Sequence, residues 1–197
     1  MYPVFLKLSG RRVLLVGGGR VAAAKLEALL ADGAHVTVVA PEIRPELHRP
    51  GVTLARRAFE SGDVDGAWYV VAAAPPEVNK DVLAAAERRH VFVNAVDDPS
   101  HASAYAGSVV RRAGVTVAFS TDGRAPALAG LMREALDAWL PADLEEWMVA
   151  ADEARREWKR HGVPMHDRRP LLLETLNRLY ERRSDLPISH SGSPNPM

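Results

Sequence analysis

Residues 12–30 read "RVLLVGGGRVAAAKLEALL". A run of apolar residues leads directly into Gly17, Gly18 and Gly19, and a segment rich in Ala and Leu follows. This order predicts a buried strand, a tight turn and a helix. In such a turn, residues without a Cβ let the backbone approach a diphosphate, and the amides that open the helix meet its charge. The spacing Gly17-x-Gly19-x-x-Ala22 is therefore typical of a dinucleotide site.

The residues after the second predicted strand bear on the choice of dinucleotide. The strand ends at Ala40 and Pro41, where an acidic residue usually contacts the adenosine ribose, and Glu42 lies just beyond. Glu42 could reach a ribose hydroxyl, or it could be a solvated loop carboxylate. No arginine directly takes the 2′-phosphate position, although Arg44 is near. The pattern therefore favours NAD over NADP. Lys25 lies too far into the helix for a nucleoside-triphosphate loop.

Composition narrows the class of protein. The chain has 197 residues, with 25 Lys and Arg against 25 Asp and Glu, and it has no cysteine. Zero net charge excludes a globally basic nucleic-acid footprint, so no nucleic-acid partner is expected. The lack of cysteine excludes disulfides, thiolate zinc sites and a cysteine nucleophile. No apolar run reaches the roughly 18 residues of a membrane span, and the N-terminus does not resemble a signal peptide. We therefore expect a cytoplasmic protein with no membrane partner.

Periodicity predicts an α/β fold for the first half of the chain. Short β-branched runs alternate with Ala-rich helical segments, which is typical of a parallel sheet covered by helices. Strands are predicted over residues 11–17, 34–41, 52–59, 66–74 and 91–96, and helices over 21–33 and 76–90.

The pattern changes beyond residue 100. Residues 107–121 predict a hairpin that turns at Ala113 and Gly114. Helices are then predicted over 126–140, 144–162 and 169–183. Boundaries near residue 113 and near Pro141 divide the chain into segments 1–113, 114–141 and 142–184. The Pro- and Ser-rich residues 185–197 predict a disordered tail.

The stretch "NAVDDPSHAS", residues 94–103, is the second cluster of polar residues. Ligands gather at the carboxyl ends of the strands in an open parallel sheet. Asn94, Asp97, Asp98 and His101 are therefore expected near the reactive end of the cofactor. Two carboxylates before a proline would also suit a turn or a helix cap, and a lone histidine on a loop is more often simply solvated.

Three stretches of the chain together resemble one family. They are "YPVFLKLSGRRVLLVGGGRVAAAKLEALLADGAHVTVVAPE" (2–42), "VNAVDDPSHAS" (93–103) and "VTVAFSTDGRAPALAGLMREAL" (115–136). In the same order, they resemble the precorrin-2 dehydrogenase and sirohydrochlorin ferrochelatase domain of the siroheme synthases. The resemblance implies a Rossmann-like NAD-binding domain over residues 1–113, a central dimerisation region over 114–141 and a helical C-terminal domain over 142–184.

The resemblance also implies an enzyme and its site. The implied reaction is NAD-dependent oxidation of precorrin-2 to sirohydrochlorin, in siroheme or cobalamin biosynthesis, by a homodimer. Some members also insert ferrous iron, which is then a substrate. The implied essential aspartate is Asp97, a natural general base for both reactions. The implied cofactor residues are Gly17, Gly18, Gly19, Arg20 and Val21, together with Pro41 and Glu42.

A tetrapyrrole polycarboxylate substrate favours arginine and hydroxyl contacts. Arg124, Ser120 and Thr121 are the candidates on the loop before the first C-terminal helix, and His101 is a further candidate on the aspartate loop. No residue is firmly assigned as a metal ligand.

Two other functions stay open on sequence alone. Ala125 stands where members of the family usually have Ser, and the Thr that usually follows the fourth strand is missing from "AAAPPEVN" (72–79). The chain could therefore be a non-catalytic NAD-sensing Rossmann module. It could also be a relative that oxidises the tetrapyrrole without inserting iron.

Overall fold

The computed structural model describes residues 2–184, with side chains described through Leu179. The predicted disordered tail, residues 185–197, lies outside the described residues. The described residues divide into two compact units: the first combines 2–108 with 120–130, and the second combines 109–119 with 131–184. The division at residues 113 and 141 stays a prediction.

A five-stranded parallel sheet forms the first unit. Its strands are β1 (Arg12–Val16), β2 (His35–Val39), β3 (Thr53–Ala55), β4 (Tyr69–Ala72) and β5 (Phe92–Ala95). Their order across the sheet is β3-β2-β1-β4-β5, and all neighbouring pairs are parallel. The chain order reverses between β1 and β4. The carboxyl ends of these two strands therefore form the switch point at which open α/β sheets bind ligands.

Helices and short turns connect the strands of this sheet. The helices are α1 (Arg20–Ala31) and α2 (Pro76–Glu87), and 3₁₀ turns occur at Pro45–Leu47, Ser61–Val64 and Pro99–His101. These elements confirm the predicted α/β fold with a Rossmann-like parallel sheet.

The apolar core lies on both faces of the sheet. Val13 and Leu15 of β1 pack in the same cluster as Leu26 of α1, whereas Leu14 packs with Val82 of α2. All five side chains are fully buried. Burial of a side chain of this size contributes roughly 1.5–3 kcal/mol. A strand covered on both faces needs an uninterrupted apolar run, and this explains the sequence of β1.

A hairpin and three helices complete the described chain. Strands β6 (Ser108–Arg112) and β7 (Val115–Phe119) pair, and the turn residues Ala113 and Gly114 have φ values of 49° and 79°. Two positive φ angles are typical of a type I′ hairpin turn, so the predicted hairpin is confirmed. The helices are α3 (Pro126–Trp139), α4 (Leu144–Arg160) and α5 (Met165–Ser184). Within residues 2–184, no helix combines the length and the apolarity that crossing a bilayer requires.

The last helix begins earlier than predicted, at Met165 rather than at residue 169. Proline fits best in the first helical turn, and Pro170 suggests a start just before it. In the structure Pro170 lies inside α5, where it lacks the N–H that would donate to the carbonyl four residues earlier. The guanidinium of Arg168 donates to the carbonyl of Val163 at 2.9 Å, and this bond supports the earlier start.

Candidate functional site

Two glycines of the turn between β1 and α1 are required by packing within the protein. Gly17 has a φ of 128°, and a Cβ there would overlap the carbonyl oxygen of Ala73, just after β4. A Cβ on Gly18 would overlap the carbonyl oxygen of Glu42 in the loop after β2. Only glycine therefore fits at these two positions, where another backbone segment occupies the space of a Cβ.

Gly19 has a different environment. A Cβ built on Gly19 would meet no atom of the described residues within 4 Å. Gly19 is the N-cap of α1, and no side chain of the described part of the chain caps that end of the helix. The first amides of a helix lack partners within the helix, and the helix dipole makes this end partly positive. Open space beside bare amides fits the diphosphate of a dinucleotide.

Backbone hydrogen bonds extend the sheet beyond the ends of its strands. The three bonds run from Gly17 to Val39, from Ala73 to Val16 and from Val96 to Ala72, over 3.0, 2.7 and 2.8 Å. The Arg44 amide also donates to the carbonyl of Gly18 at 3.0 Å. The loops after β1, β2, β4 and β5 are therefore tied together along one edge of the sheet.

The predicted cofactor residues come together at this edge. Arg20 and Val21 open α1 and are exposed, immediately after the glycine turn. Pro41 and Glu42 are exposed in the loop after β2, and the backbone of Glu42 contacts Gly18. The turn and the loop after β2 thus form one continuous surface at the switch point.

Arg44, on the same loop, is engaged by a neighbouring carboxylate. Its Nη2 donates to Oε1 of Glu46 at 2.8 Å. This hydrogen bond lowers the pKa of the Glu46 carboxyl and raises the pKa of the Arg44 guanidinium. The guanidinium is thereby bonded within its own loop.

Asp97, the predicted catalytic residue, lies directly beyond the carboxyl end of β5. It is exposed and has a φ of 57°, in the left-handed region. This region costs a residue other than glycine about 1–2 kcal/mol, although Asp and Asn visit it more readily than most. The chain turns sharply there, and Asp97 stands at the same edge of the sheet as the glycine turn.

The neighbouring Asp98 forms a network of hydrogen bonds with other side chains. Asn79 of α2 is almost completely buried, its Oδ1 accepts from the Ala74 amide at 3.3 Å, and its Nδ2 donates to Oδ2 of Asp98 at 3.3 Å. Ser100 Oγ donates to Oδ1 of Asp98 at 2.8 Å. The network links the loop after β4, helix α2 and the loop after β5.

His101 completes this network. Its Nδ1 lies 2.8 Å from Oδ2 and 2.9 Å from Oδ1 of Asp98. Hydrogen bonds from His101, then from Ser100 and Asn79, lower the pKa of the Asp98 carboxyl. The sequence placed Asp98 and His101 at this edge but gave no role to Asn79. The only local signal was the spacing of Asp, Ser and His in "DPSH", residues 98–101.

Asn94 has a structural role in the fold, and its expected position near the cofactor stays a prediction. Its side chain is buried, and Nδ2 donates to the carbonyl of Ala104 at 3.2 Å. The amides of Ser103 and Ala104 both donate to the carbonyl of Val93. This segment therefore covers the outer edge of β5, which would otherwise expose unpaired backbone groups.

The loop that carries Ser120, Thr121 and Arg124 packs on the segment after β5. A Cβ on Gly123 would lie 3.6 Å from Cγ of Pro99, within ordinary contact distance. Ser120 Oγ accepts from the Asp122 amide at 3.2 Å, and Thr121 Oγ1 accepts from the Ala125 amide at 3.2 Å. Both hydroxyl oxygens thus shape the loop, whereas the side chain of Arg124 is exposed. Across the described residues, no three or more His, Asp and Glu side chains are grouped so that they could hold a metal ion.

Comparisons with known proteins agree with this geometry. The family model NAD_binding_7, described as "Putative NAD(P)-binding", matches residues 4–108, which contain the whole five-stranded sheet. Among solved structures, the precorrin-2 dehydrogenase SirC superposes with a TM-score of 0.70 at 28% sequence identity, and the match covers 88% of each chain.

Two curated relatives match most of the chain. A siroheme synthase from Photorhabdus laumondii is 39% identical over 180 residues, which is 89% of this chain and 38% of that protein. Siroheme synthase 3 from Aeromonas hydrophila is 40% identical over 172 residues, which is 85% of this chain and 37% of that protein. The chain therefore spans less than two fifths of these relatives' length. The resemblance predicted from the sequence is confirmed: this protein belongs to the NAD(P)-binding family that NAD_binding_7 describes, and it is related to the siroheme synthases.

Proposed function

We propose that this protein oxidises precorrin-2 to sirohydrochlorin with NAD. The observation that carries the proposal is the open amide turn at Gly19, at the switch point of the sheet and on the same edge as the loop of Asp97. The names of the relatives, precorrin-2 dehydrogenase and siroheme synthase, indicate the substrate class. When bound, NAD would be the hydride acceptor, and the protein would bind the cofactor and the substrate and orient them toward each other.

The cofactor would be held by the surface that the glycine turn and the loop after β2 share. Gly19 and the amides of Arg20 and Val21 would hold the diphosphate. Pro41 and Glu42 would lie at the adenosine end, because the loop after the second strand contacts the ribose in this fold. Arg44 is bonded to Glu46 within its loop, and this pairing supports NAD rather than NADP.

Asp97 is proposed as the carboxylate that contacts the substrate. Loss of a hydride leaves positive charge on the macrocycle. A fixed negative group in contact with the macrocycle lowers the energy of that charge as it develops. Arg124, with Ser120 and Thr121 on its loop, is proposed to bind carboxylates of the substrate at the rim of the site.

One assay tests the proposal. Purified protein is mixed with precorrin-2 and NAD, and the absorbance of NADH is followed, while NAD binding is measured separately by calorimetry. We expect NADH to accumulate with the appearance of sirohydrochlorin. A flat trace from protein that binds NAD would favour the alternative of an NAD-sensing module.

Iron insertion stays a prediction from the resemblance. It is tested by adding sirohydrochlorin and ferrous ion and following the visible spectrum. Dehydrogenase activity without insertion would identify the alternative of a dehydrogenase-only relative. The homodimer is likewise a proposal that rests on the resemblance, and the cytoplasmic location is a proposal that rests on the sequence. Sedimentation of the purified protein measures its subunit number.

A further inference from the structure

Asp98 does not have the capping role that its sequence position suggests. It is the N-cap residue of the 3₁₀ turn Pro99–His101, but its side chain makes no capping bond there. Within the described residues, the hydrogen bonds to its carboxylate come from three side chains, those of Asn79, Ser100 and His101. The carboxylate therefore holds side chains in place rather than ending a turn.

This arrangement fixes the tautomer of His101. An ionised carboxylate can only accept hydrogen bonds. Nδ1 of His101 therefore carries a hydrogen and donates it in the hydrogen bond to Asp98. In the neutral ring, Nε2 then carries a lone pair and is the basic nitrogen. Within the described part of the chain, no hydrogen bond involves Nε2, and about a quarter of the side chain is exposed (26%). His101 thus offers an oriented proton acceptor on the same loop as Asp97.

Resting on the proposed function, we propose that Nε2 of His101 accepts the proton that leaves the tetrapyrrole during oxidation, and that Asp98 and Asn79 position the ring. Oxidation removes two hydrogens from the substrate. One leaves with its bonding electrons, as hydride to NAD. The other leaves as a proton to Nε2, and its electrons form the new double bond. The imidazolium then returns the proton to water.

His101 suits this step better than Asp97 does. The imidazole of His101 is oriented by Asp98 through Nδ1, whereas no such partner among the described residues orients the carboxylate of Asp97. Histidine is also the side chain that most often transfers protons in catalysis. Asp98 would stabilise the imidazolium that forms, as the buried aspartate of a Ser-His-Asp triad does. Asp97 keeps its proposed contact with the cationic macrocycle.

The elements packed against the Pro99–His101 turn bring few charges to this group. Helix α2 contributes the neutral Asn79, and β5 contributes the neutral Asn94, which is bonded to Ala104. The loop that packs on Pro99 carries Asp122 and Arg124, both exposed, and the hydroxyl of Tyr105 donates to the Pro99 carbonyl. The charged residues at the start of α2 are exposed; they are Glu77, Lys80 and Asp81. Asp98 is therefore the carboxylate that governs His101, with Asp97 exposed on the same loop.

The test compares the pH dependence of kcat/KM in four proteins: the wild type, His101→Gln, Asp98→Asn and His35→Gln. His35 is the matched control, because it is an exposed histidine at the amino end of β2, on the opposite edge of the sheet. We expect His101→Gln to lower kcat/KM about 100-fold at neutral pH and to remove the loss of activity on the acid side. Asp98→Asn should lower kcat/KM about tenfold or more, because the amide of asparagine no longer fixes the tautomer of His101. NAD affinity should stay unchanged in all four.

Two further readouts separate a chemical role from a structural one. Added imidazole should restore turnover to His101→Ala but not to Asp97→Ala. Nitrogen NMR of the ring should show a protonated Nδ1 and an unprotonated Nε2 in the wild type, with this preference lost in Asp98→Asn.

The outcomes distinguish this inference from the proposed function. If the wild type oxidises precorrin-2 while His101→Gln keeps both its rate and its pH profile, His101 is not the proton acceptor and the proposed function stands. If the wild type binds NAD but does not oxidise precorrin-2, both proposals fail.

Discussion

The carbonyl oxygen of Glu42 occupies the space in which a side chain on Gly18 would lie. The backbone of the loop after β2 therefore packs directly against the backbone of the glycine turn. We predict that Gly18→Ala lowers the free energy of unfolding by about 1–3 kcal/mol, because the added methyl forces two backbone segments apart. Urea denaturation of the protein without cofactor measures the loss. Gly19→Ala is the control and should change stability by less than about 1 kcal/mol. Equal losses in both variants would contradict the different environments of the two glycines.

Gly19 is predicted to matter for the cofactor instead. Gly19→Asp should weaken NAD binding about 100-fold, or about 2.7 kcal/mol, because a side chain and a negative charge would meet the diphosphate. Calorimetric titration with NAD measures the change. Gly19→Asn is the control, because asparagine is nearly as large as aspartate but uncharged. This variant should lose less affinity for NAD than Gly19→Asp does. Undiminished binding by the aspartate variant would place the diphosphate elsewhere.

Asn79 is predicted to stabilise the edge of the sheet. It is buried, and it bonds both the Ala74 amide and the Asp98 carboxylate. Asn79→Ala leaves a partly buried amide without its partner and should cost about 1–3 kcal/mol of unfolding free energy. The control is Asn177→Ala, at an exposed position of α5, which should stay within about 0.5 kcal/mol of the wild type. Thermal and urea unfolding of both variants measure the two losses of stability. Equal losses in Asn79→Ala and Asn177→Ala would contradict the prediction.

The pH dependence of stability should depend on Asp98. Hydrogen bonds from His101 and Ser100 lower its pKa in the folded protein. A carboxyl with a lowered folded pKa contributes stability that is present above its unfolded pKa, about 3.9. That stability is lost as the pH falls through the folded value. The stability advantage of the wild type over Asp98→Asn should therefore be largest near neutral pH and shrink at acid pH. Urea midpoints of the two proteins across this range measure it, and a difference that does not change with pH would rule the linkage out.

Asp97 is predicted to act in turnover but not in cofactor binding. Asp97→Ala should lower kcat by about 100-fold or more, because the charge that develops on the substrate loses its fixed partner. NAD affinity should be nearly intact. Asp81→Ala removes another exposed carboxylate, on α2 outside the network, and should leave the rate unchanged. Full activity of the Asp97 variant would remove this residue from the mechanism.

Local patterns predicted most of the fold. The apolar run of β1 and the glycines after it specify a strand and a turn within a few residues, and Ala113-Gly114 specifies a hairpin. These features depend on neighbouring residues, so periodicity and turn chemistry reveal them.

The network around Asp98 could not be predicted in the same way. Asn79 reaches Asp98 only because α2 returns the chain to the adjacent strand, and no local spacing records that contact. Local rules suggested a cap for Asp98, but side-chain donors hold its carboxylate instead. The assignment of Gly17 and Gly18 to the cofactor stays a prediction, and their close contacts with Ala73 and with the loop after β2 could not be predicted from local spacing.

The contacts of Gly17 and Gly18 have a consequence for the kinetics of cofactor capture. Because Ala73 and Glu42 hold the turn in shape, its backbone torsions are already set before a dinucleotide arrives. The conformational entropy of ordering this loop is lost during folding and not during association. A pre-organised receptor of this kind admits its ligand by near rigid-body docking, so the rate of capture should reflect diffusion and orientation rather than a loop rearrangement.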